Sequence, residues 1–458
     1  RKFDIKKLLY LLPLFLGGFF YAQNFKADST QFKKISDEIL TNGKGYEDLR
    51  ELTKNIGNRL SGSANYEKAT QWAMQKLKDA GADKVWLQPV MVDVWTRGTE
   101  SLKLKIGNGN WENIKMLSLG NSEGTKGKDL KGNIILVKSI EDFQKIPAEV
   151  IKDKIVFFNY PFKQEFVVTG QAYGDAGKYR RSTASEVAKK GGKAVIIRSL
   201  TSNFDDVPHT GTLKYEDGIA KIPAIAIGAE TADKLEKALL KRQLIEAILN
   251  SNCGMNGQKL THSVIGEITG NKDNSVIVVG GHLDSWDVGE GAHDDGAGIV
   301  QSIEVLRTFK NLNIKNNHTI RVVCFANEEN GLSGGKTYLE NVKKSGEPHI
   351  FALESDSGGF TPRSFSLGMN AEKAQSMKSW EKLFNPYGIY EFTGNHGGAD
   401  ITPLRELNVP VSNFSTDSQK YFDIHHTPED TFEKVNRREL LLGAKVMTQL
   451  SYMIDQNW

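Results

Sequence analysis

Cysteine is nearly absent from this chain: Cys253 and Cys324 are the only two in 458 residues. That excludes a disulfide-rich framework and any thiolate metal cluster, and a chain of this length can rely on its core instead. Cys324 lies in the apolar stretch 320–326 and reads as a small buried hydrophobe, with no bridge to Cys253 expected. An excess of one charge is also lacking, since 59 Lys and Arg against 56 Asp and Glu leave a formal +3 with no acidic or basic tail. A dedicated nucleic-acid binder, which carries a clustered basic excess, is thereby excluded. Proline is sparse at 12 residues, and 39% hydrophobic with 25% charged residues rules out collagenous, low-complexity and wholly disordered classes.

What is present begins with Arg1, Lys2, Lys6 and Lys7 ahead of an apolar run over 8–20 that closes in Tyr21-Ala22-Gln23. This is the pattern of an export signal. The run has 13 residues, interrupted by Pro13 and Gly17-Gly18, and a helix needs roughly 20 to cross a bilayer. Removing 1–23 takes away four cations and one anion and leaves a formally neutral chain. The small positive excess thus encodes export rather than a partner. A secreted or periplasmic protein is expected, with no nucleic-acid partner and no stable membrane insertion once the signal is removed.

Length implies two or three domains. Residues 28–54 carry helical punctuation, and 63–80 place Tyr66, Ala69, Trp72, Ala73, Leu77 and Ala80 at helical spacing before Gly81. β-type runs follow at 85–87 and 90–95, and the Gly-rich stretch 124–128 reads as a boundary. Beyond it, short β-type runs at 134–137, 155–158, 194–197 and 222–227 alternate with helical stretches at 182–190 and 231–240. The expected organisation is a signal over 1–23, a main domain in two parts, 24–125 and 256–458, and a small α/β insert over 126–255. The insert's one histidine, His209, stands alone and suggests no metal or nucleophile site. From 263 onward strands at 276–279, 319–325 and 350–353 alternate with helices at 297–309 and 334–341. The fold class is therefore α/β, a mainly parallel sheet flanked by helices on both faces. In such sheets sites gather beyond the carboxyl ends of the strands.

Those ends repeat one chemistry. The strand at 276–279 leads into His282-Leu283-Asp284 and then His293-Asp294-Asp295-Gly296; the strand at 319–325 leads into Asn327-Glu328-Glu329; the strand at 350–353 leads into Glu354-Ser355-Asp356. Further on come His396 and the pair His425-His426. Taken singly, a His-x-Asp is an ordinary surface pair, Asp-Asp-Gly a turn and Glu-Glu a helix start. Gathered at successive strand ends, imidazoles and carboxylates without thiolate are the donor set of a hydrolytic zinc pair.

The run from Gly281-His282-Leu283-Asp284 to Gly291-Ala292-His293-Asp294-Asp295-Gly296, with Asn327-Glu328-Glu329, Glu354-Ser355-Asp356 and His425-His426-Thr427, resembles the M28 family of dinuclear zinc exopeptidases, within it a carboxypeptidase subfamily. The resemblance spans nearly the whole chain after the signal, including Gly57-Asn58-Arg59-Leu60-Ser61-Gly62-Ser63. The unit 184–197 is similar to the protease-associated domains that decorate several exopeptidase families. His293 departs from the pattern, since related sequences often carry an apolar residue there. The resemblance implies a zinc exopeptidase fold with a protease-associated-like α/β insert and two Zn²⁺ per chain. It makes Asp294 the bridging carboxylate, with His282 and Asp356 completing one site and Glu329 and His426 the other. It makes Glu328 the general base and Asp284 the group that orients His282. It further implies a dipeptide or short-peptide substrate and allows a homodimer. Carboxypeptidase, dipeptidase and aminopeptidase actions all occur among such relatives. His425, Tyr421 and the turn ending in Asp400 are candidates for lining the substrate pocket. The rival readings are a glutaminyl-cyclase-like transferase, which keeps a single zinc, and a non-catalytic binding protein on the same fold; all five ligands and the base are present here, which neither rival requires.

Overall fold

The computed structural model describes residues 12–458, with side chains from Lys26 onward; the export signal read over 1–23 lies outside those described side chains. Among the described residues, no helix is long and apolar enough to cross a membrane. Helices Leu12–Asn42, Gly45–Glu51 and Ala64–Asp79 come first. The last begins at Ser63, whose side chain accepts from the Tyr66 N–H, and it buries Tyr66, Ala69, Ala73 and Leu77 in one stripe.

The chain then forms β1 (Lys84–Thr96), which pairs on one side only. An edge position is what tolerates Pro89 in mid-strand. Next come β2 (Glu100–Ile106), β3 (Trp111–Ile114), β4 (Met116–Ser118), β5 (Leu130–Val137), β6 (Ile155–Phe158), β7 (Ala194–Arg198), β8 (Ala224–Ile227) and β9 (Ile245–Ser251), which make a second sheet in the order β3-β2-β9-β5-β6-β7-β8-β4. The chain returns to the first sheet in β10 (Gly254–Ile268), antiparallel to β1 from Lys84 opposite Glu267 to Thr96 opposite Gly254. It finishes with β11 (Val276–His282), β12 (Thr319–Phe325), β13 (His349–Ser355), β14 (Pro362–Phe365), β15 (Glu391–Phe392) and β16 (Val411–Thr416), in the order β1-β10-β12-β11-β13-β16-β14-β15.

The four central strands β12, β11, β13 and β16 are parallel, so their carboxyl ends open on one side. Alternate residues of β11 serve opposite faces. Ile277 and Val279 pack with Ile299, Ile303, Val446 and Leu450 of helices Ala297–Asn311 and Arg437–Asn457. Val276 and Val278 pack with Tyr338, Leu339 and Val342 of helix Ser333–Ser345. A strand buried on both faces reads as a continuous apolar run, which is why β11 to β13 are visible in the sequence.

The expected boundary at 125/126 shifts. Strands β2 to β4 belong to the second sheet, which runs from residue 100 to 251. β2 pairs with β9 over its whole length, Glu100 opposite Ser251 to Ile106 opposite Ile245, so the glycines at 124–128 make a turn within that unit. The helix read over 182–190 is the end of a longer one, Thr169–Lys189, whose first half carries Gly170, Gly174 and Gly177 and so has weak intrinsic propensity. Cys324 is buried within β12, as its apolar surroundings suggest, and Cys253 is buried as well.

Candidate metal centre

The parallel strands bring the predicted residues together. His282 closes β11 opposite Phe325, the last residue of β12, and Gly280 sits opposite Glu354 of β13. Glu328 and Glu329 follow β12, and Asp356 follows β13. Asp294 comes from the turn before helix Ala297–Asn311, and His426 follows the short helix Tyr421–Ile424. That turn reaches the strand ends because two glycines leave no side chain in its way: a Cβ on Gly281 would stand 2.3 Å from Asp295 Oδ2, and one on Gly298 would stand 2.0 Å from the Ser355 carbonyl.

Asp294 is the centre of the cluster. Its Oδ1 lies 3.2 Å from His282 Nε2, which is 3.4 Å from Asp356 Oδ1. Its Oδ2 lies 3.2 Å from His426 Nε2, which is 3.2 Å from Glu329 Oε2. Each carboxylate oxygen therefore faces its own imidazole–carboxylate pair. Both imidazoles have their other nitrogen engaged: His282 Nδ1 is 3.0 Å from the Asp284 carbonyl and His426 Nδ1 is 3.2 Å from the Thr210 carbonyl. Donation from Nδ1–H leaves the Nε2 lone pairs directed at the cluster. Asp294 Oδ2 and Glu329 Oε1 are buried with no hydrogen-bond partner, although buried acceptors are normally satisfied. Nitrogen and oxygen donors, orphaned acceptors and a surplus of buried carboxylate fit a divalent metal pair.

Electrostatics separate the two glutamates. Burial, reinforced by Asp356 and Glu329, pushes the Glu328 carboxyl well above the usual carboxylate range. Burial and Asp294 push Glu329 up to about 7. Asp294 goes the other way: against burial, His282 and His426 hold it well below its ordinary value. The role read for Asp284 changes in detail. Its backbone carbonyl faces His282 Nδ1, while its carboxylate, 3.7 Å from that nitrogen, accepts from the Glu328 N–H at 3.1 Å and the Glu329 N–H at 3.2 Å.

His425 stacks on His426 with ring centroids 3.4 Å apart, its Nε2 3.5 Å from Asp294 Oδ2. Tyr421 and His425 line a cavity of about 1390 Å³ with Glu328, Glu329, Asp356 and His426. Asp400 does not line it. Its Oδ1 accepts from Gly335 N–H at 3.2 Å and its own N–H donates to Glu354 Oε2, because Gly398 lets that turn close onto Glu354 behind the cluster. His293 is no ligand either: both ring nitrogens are engaged, with Lys434 O and the Gly359 N–H, the ring stacks on Phe360, and burial pushes it down to about 4. His396 is exposed at the cavity rim.

Other supporting residues carried no local signal. Fully buried Arg59 donates to the carbonyls of Leu283, Glu290 and Gly291, fixing the loop between His282 and Asp294. Asp430 accepts from the backbone N–H of His293 and Asp294. The second unit also reaches the cluster: His209 Nδ1 lies 2.7 Å from His425 O, and the Thr210 N–H donates to His426 O at 3.0 Å. Only their position in space, some 216 residues away along the chain, gives these contacts meaning.

The pattern of peptidase family M28 matches residues 263–451. Human carboxypeptidase Q is 34% identical over 90% of this chain and 85% of its own length. The chain belongs to peptidase family M28. As an M28 member it is a metallopeptidase, a hydrolase of peptide bonds. The M28 peptidase precursor of Shewanella amazonensis SB2B is 32% identical and superimposes with a TM-score of 0.89 over 95% of this chain and 98% of its own. A zinc aminopeptidase from Bacillus subtilis, 21% identical with a TM-score of 0.64 over 89% of this chain and 94% of its own, shares the M28 fold.

Proposed function

We propose that the protein is an exported, dinuclear zinc exopeptidase that hydrolyses dipeptides or the terminal residues of short peptides. The observation that carries this reading is Asp294 with one oxygen toward His282 and Asp356 and the other toward His426 and Glu329. The first trio would hold one ion and the second the other, with Asp294 common to both. Every donor comes from one chain. Bound there, a zinc pair would acidify a water, polarise the scissile carbonyl and offset the charge of the tetrahedral oxyanion.

The chain's own residues do the rest. Glu328 is left free as the general base, accepting a proton from the attacking water and returning it to the leaving amine. Asp284 keeps Glu328 and Glu329 apart by holding both their backbone amides, so that one serves as a ligand and the other as a base. Tyr421 and His425 are placed to contact the peptide in the cavity. Export is supported by the basic-then-apolar pattern of 1–23. Zinc is supported by the donor set and by the zinc aminopeptidase that shares the fold.

The test is Glu328→Gln. It should retain the metal content of the parent while turnover on a dipeptide falls about 10²–10⁴-fold, since a base is lost and no ligand is. Turnover near the parent's would remove Glu328 from its role. A variant that also loses its metal would make Glu328 a ligand. A cyclase-like transferase would instead convert an N-terminal glutaminyl peptide to its cyclic product without releasing a residue.

A further inference from the structure

Helix Thr169–Lys189 of the second unit forms part of the cavity wall and presents Tyr173, Arg180 and Arg181 to it. Tyr173 and Arg180 are two turns apart and share a face. The Arg180 guanidinium lies over the Tyr173 ring at 5.1 Å, and that ring stands edge-on to His425 at 5.0 Å. Arg180 Nε donates to the Thr212 carbonyl at 3.2 Å, while the Thr210 carbonyl faces His426 Nδ1. Carbonyls two residues apart are separated by no more than about 7 Å, so the same short segment, 210–212, ties Arg180 and His426 to one side of the cavity.

Arg180 is only 5% exposed. Among the described residues, however, no carboxylate lies within ion-pair distance of it, and only its Nε has a hydrogen-bond partner. A buried guanidinium without an anion is unfavourable, and a free N–H fork facing a cavity is shaped for a carboxylate. Gly211 is the residue that lets it lie there: a Cβ at that position would stand 2.4 Å from Arg180 Nη1. The other charges lining the cavity do not compete for this role. Arg363 is paired with Asp417 at 2.9 Å, Lys336 donates to the Gly331 carbonyl, and Lys336, Lys214, Arg181 and Glu391 are all exposed. Among the described residues, no buried acid outside the donor cluster lines the cavity to hold a protonated terminal amine.

We propose that Arg180 binds the free α-carboxylate of the substrate's C-terminal residue and so makes the enzyme a carboxypeptidase or dipeptidase rather than an aminopeptidase. This rests on the exopeptidase reading above and adds the end of the peptide that is read.

The experiment compares alanylalanine, alanylalanine amide and alanylglutamate α-amide, which keeps only a side-chain carboxylate, on the zinc-loaded protein and on Arg180→Gln and Arg180→Lys variants of unchanged thermal stability. The parent should prefer the free dipeptide to both amides by at least about 100-fold in kcat/KM. Arg180→Gln should lose about that factor on alanylalanine, chiefly through KM, with the amides within about threefold, and Arg180→Lys should recover part of it. Equal cleavage of acid and amide by the parent, full cleavage of the glutamate α-amide, or equal losses on all substrates would overturn the assignment. Calorimetric titration with N-acetylalanine gives a second readout: Arg180→Gln should bind it at least about tenfold more weakly. If no peptide is hydrolysed the exopeptidase reading fails, and this titration still decides the carboxylate site, equal affinity in parent and variant overturning it.

Discussion

Glu328 and Glu329 are neighbours in the chain, and on the function proposed above they have separate tasks that Asp284 keeps separate. Its carboxylate holds both their amides, while its carbonyl, which no substitution removes, orients His282. Asp284→Ala is therefore expected to lower kcat/KM by about 10–100-fold while the zinc content stays at the parent's value; loss of zinc in that variant would mean that the carboxylate, not the carbonyl, secures His282. A second prediction lies far from the site. Lys445 is buried with its Nζ donating to Tyr387 O at 2.8 Å, and burial pushes its pKa down from 10.5 to about 8. Between about pH 8 and 10.5 the unfolded chain binds more protons than the folded one, so stability rises with pH across that window, and below it the folded state bears the full cost of a buried charge. Lys445→Met should thus stabilise the protein at pH 7 by up to about 3 kcal/mol, a gain that disappears near pH 10.5, as read from urea unfolding at the two pH values. At this scale His282, Glu329 and Asp356 were legible because they stand at or just beyond the ends of apolar strands, whereas Asp294 and His426, carried by a turn and by the segment after a short helix, were read through the resemblance to the family. Asp284's carbonyl, Arg59, Thr210 and Arg180 were not, because their parts depend on contacts with residues remote in sequence.

Among the elements, the parallel strands β11 to β13 and the helices between them announce themselves by continuous apolar runs and 3.6-residue spacing, while the fourth parallel strand, β16, reads VSNFST and is not visible in that way. β2 does not: its sequence, ESLKLKI, alternates two buried leucines with charged residues and gives no sign of which sheet it joins. The helix Thr169–Lys189 is hidden by its glycines for the same reason that it serves the cavity, since Gly177 lies where Arg181 folds back, a Cβ there standing 2.7 Å from Nη1. The helix Ala297–Asn311 is the element on which Asp294 depends. Gly298→Ala would set a methyl 2.0 Å from the Ser355 carbonyl and 2.5 Å from Asp295. The helix start must then move off the strand ends, at a cost of about 1–3 kcal/mol. Lower zinc affinity should accompany the loss of stability; unchanged affinity with lower stability would show that the turn carrying Asp294 moves independently of the helix.

The second unit enters and leaves the first sheet through adjacent strands, β1 and β10, so 150 or so intervening residues can be inserted without opening the parallel core. It is fixed to that core by Arg97, which pairs with Asp287 through two nitrogens at 2.6 and 2.8 Å and donates to Ser118 O at 2.7 Å. Near the cluster it is held by the His209 and Thr210 contacts to His425 and His426. Arg97→Ala should lower unfolding stability by roughly 3 kcal/mol, because Asp287 is left without its partner, and should raise KM more than it lowers kcat, because the cavity wall loosens while the donors remain; a fall in kcat alone would contradict that division. The measurement that bears most directly on the whole account is zinc per purified chain, taken together with alanylalanine hydrolysis before and after chelation and after zinc is restored. The arrangement around Asp294 predicts close to two zinc per chain and hydrolysis that is lost on chelation and regained with zinc. One ion or none, or hydrolysis that survives complete removal of metal, would contradict it.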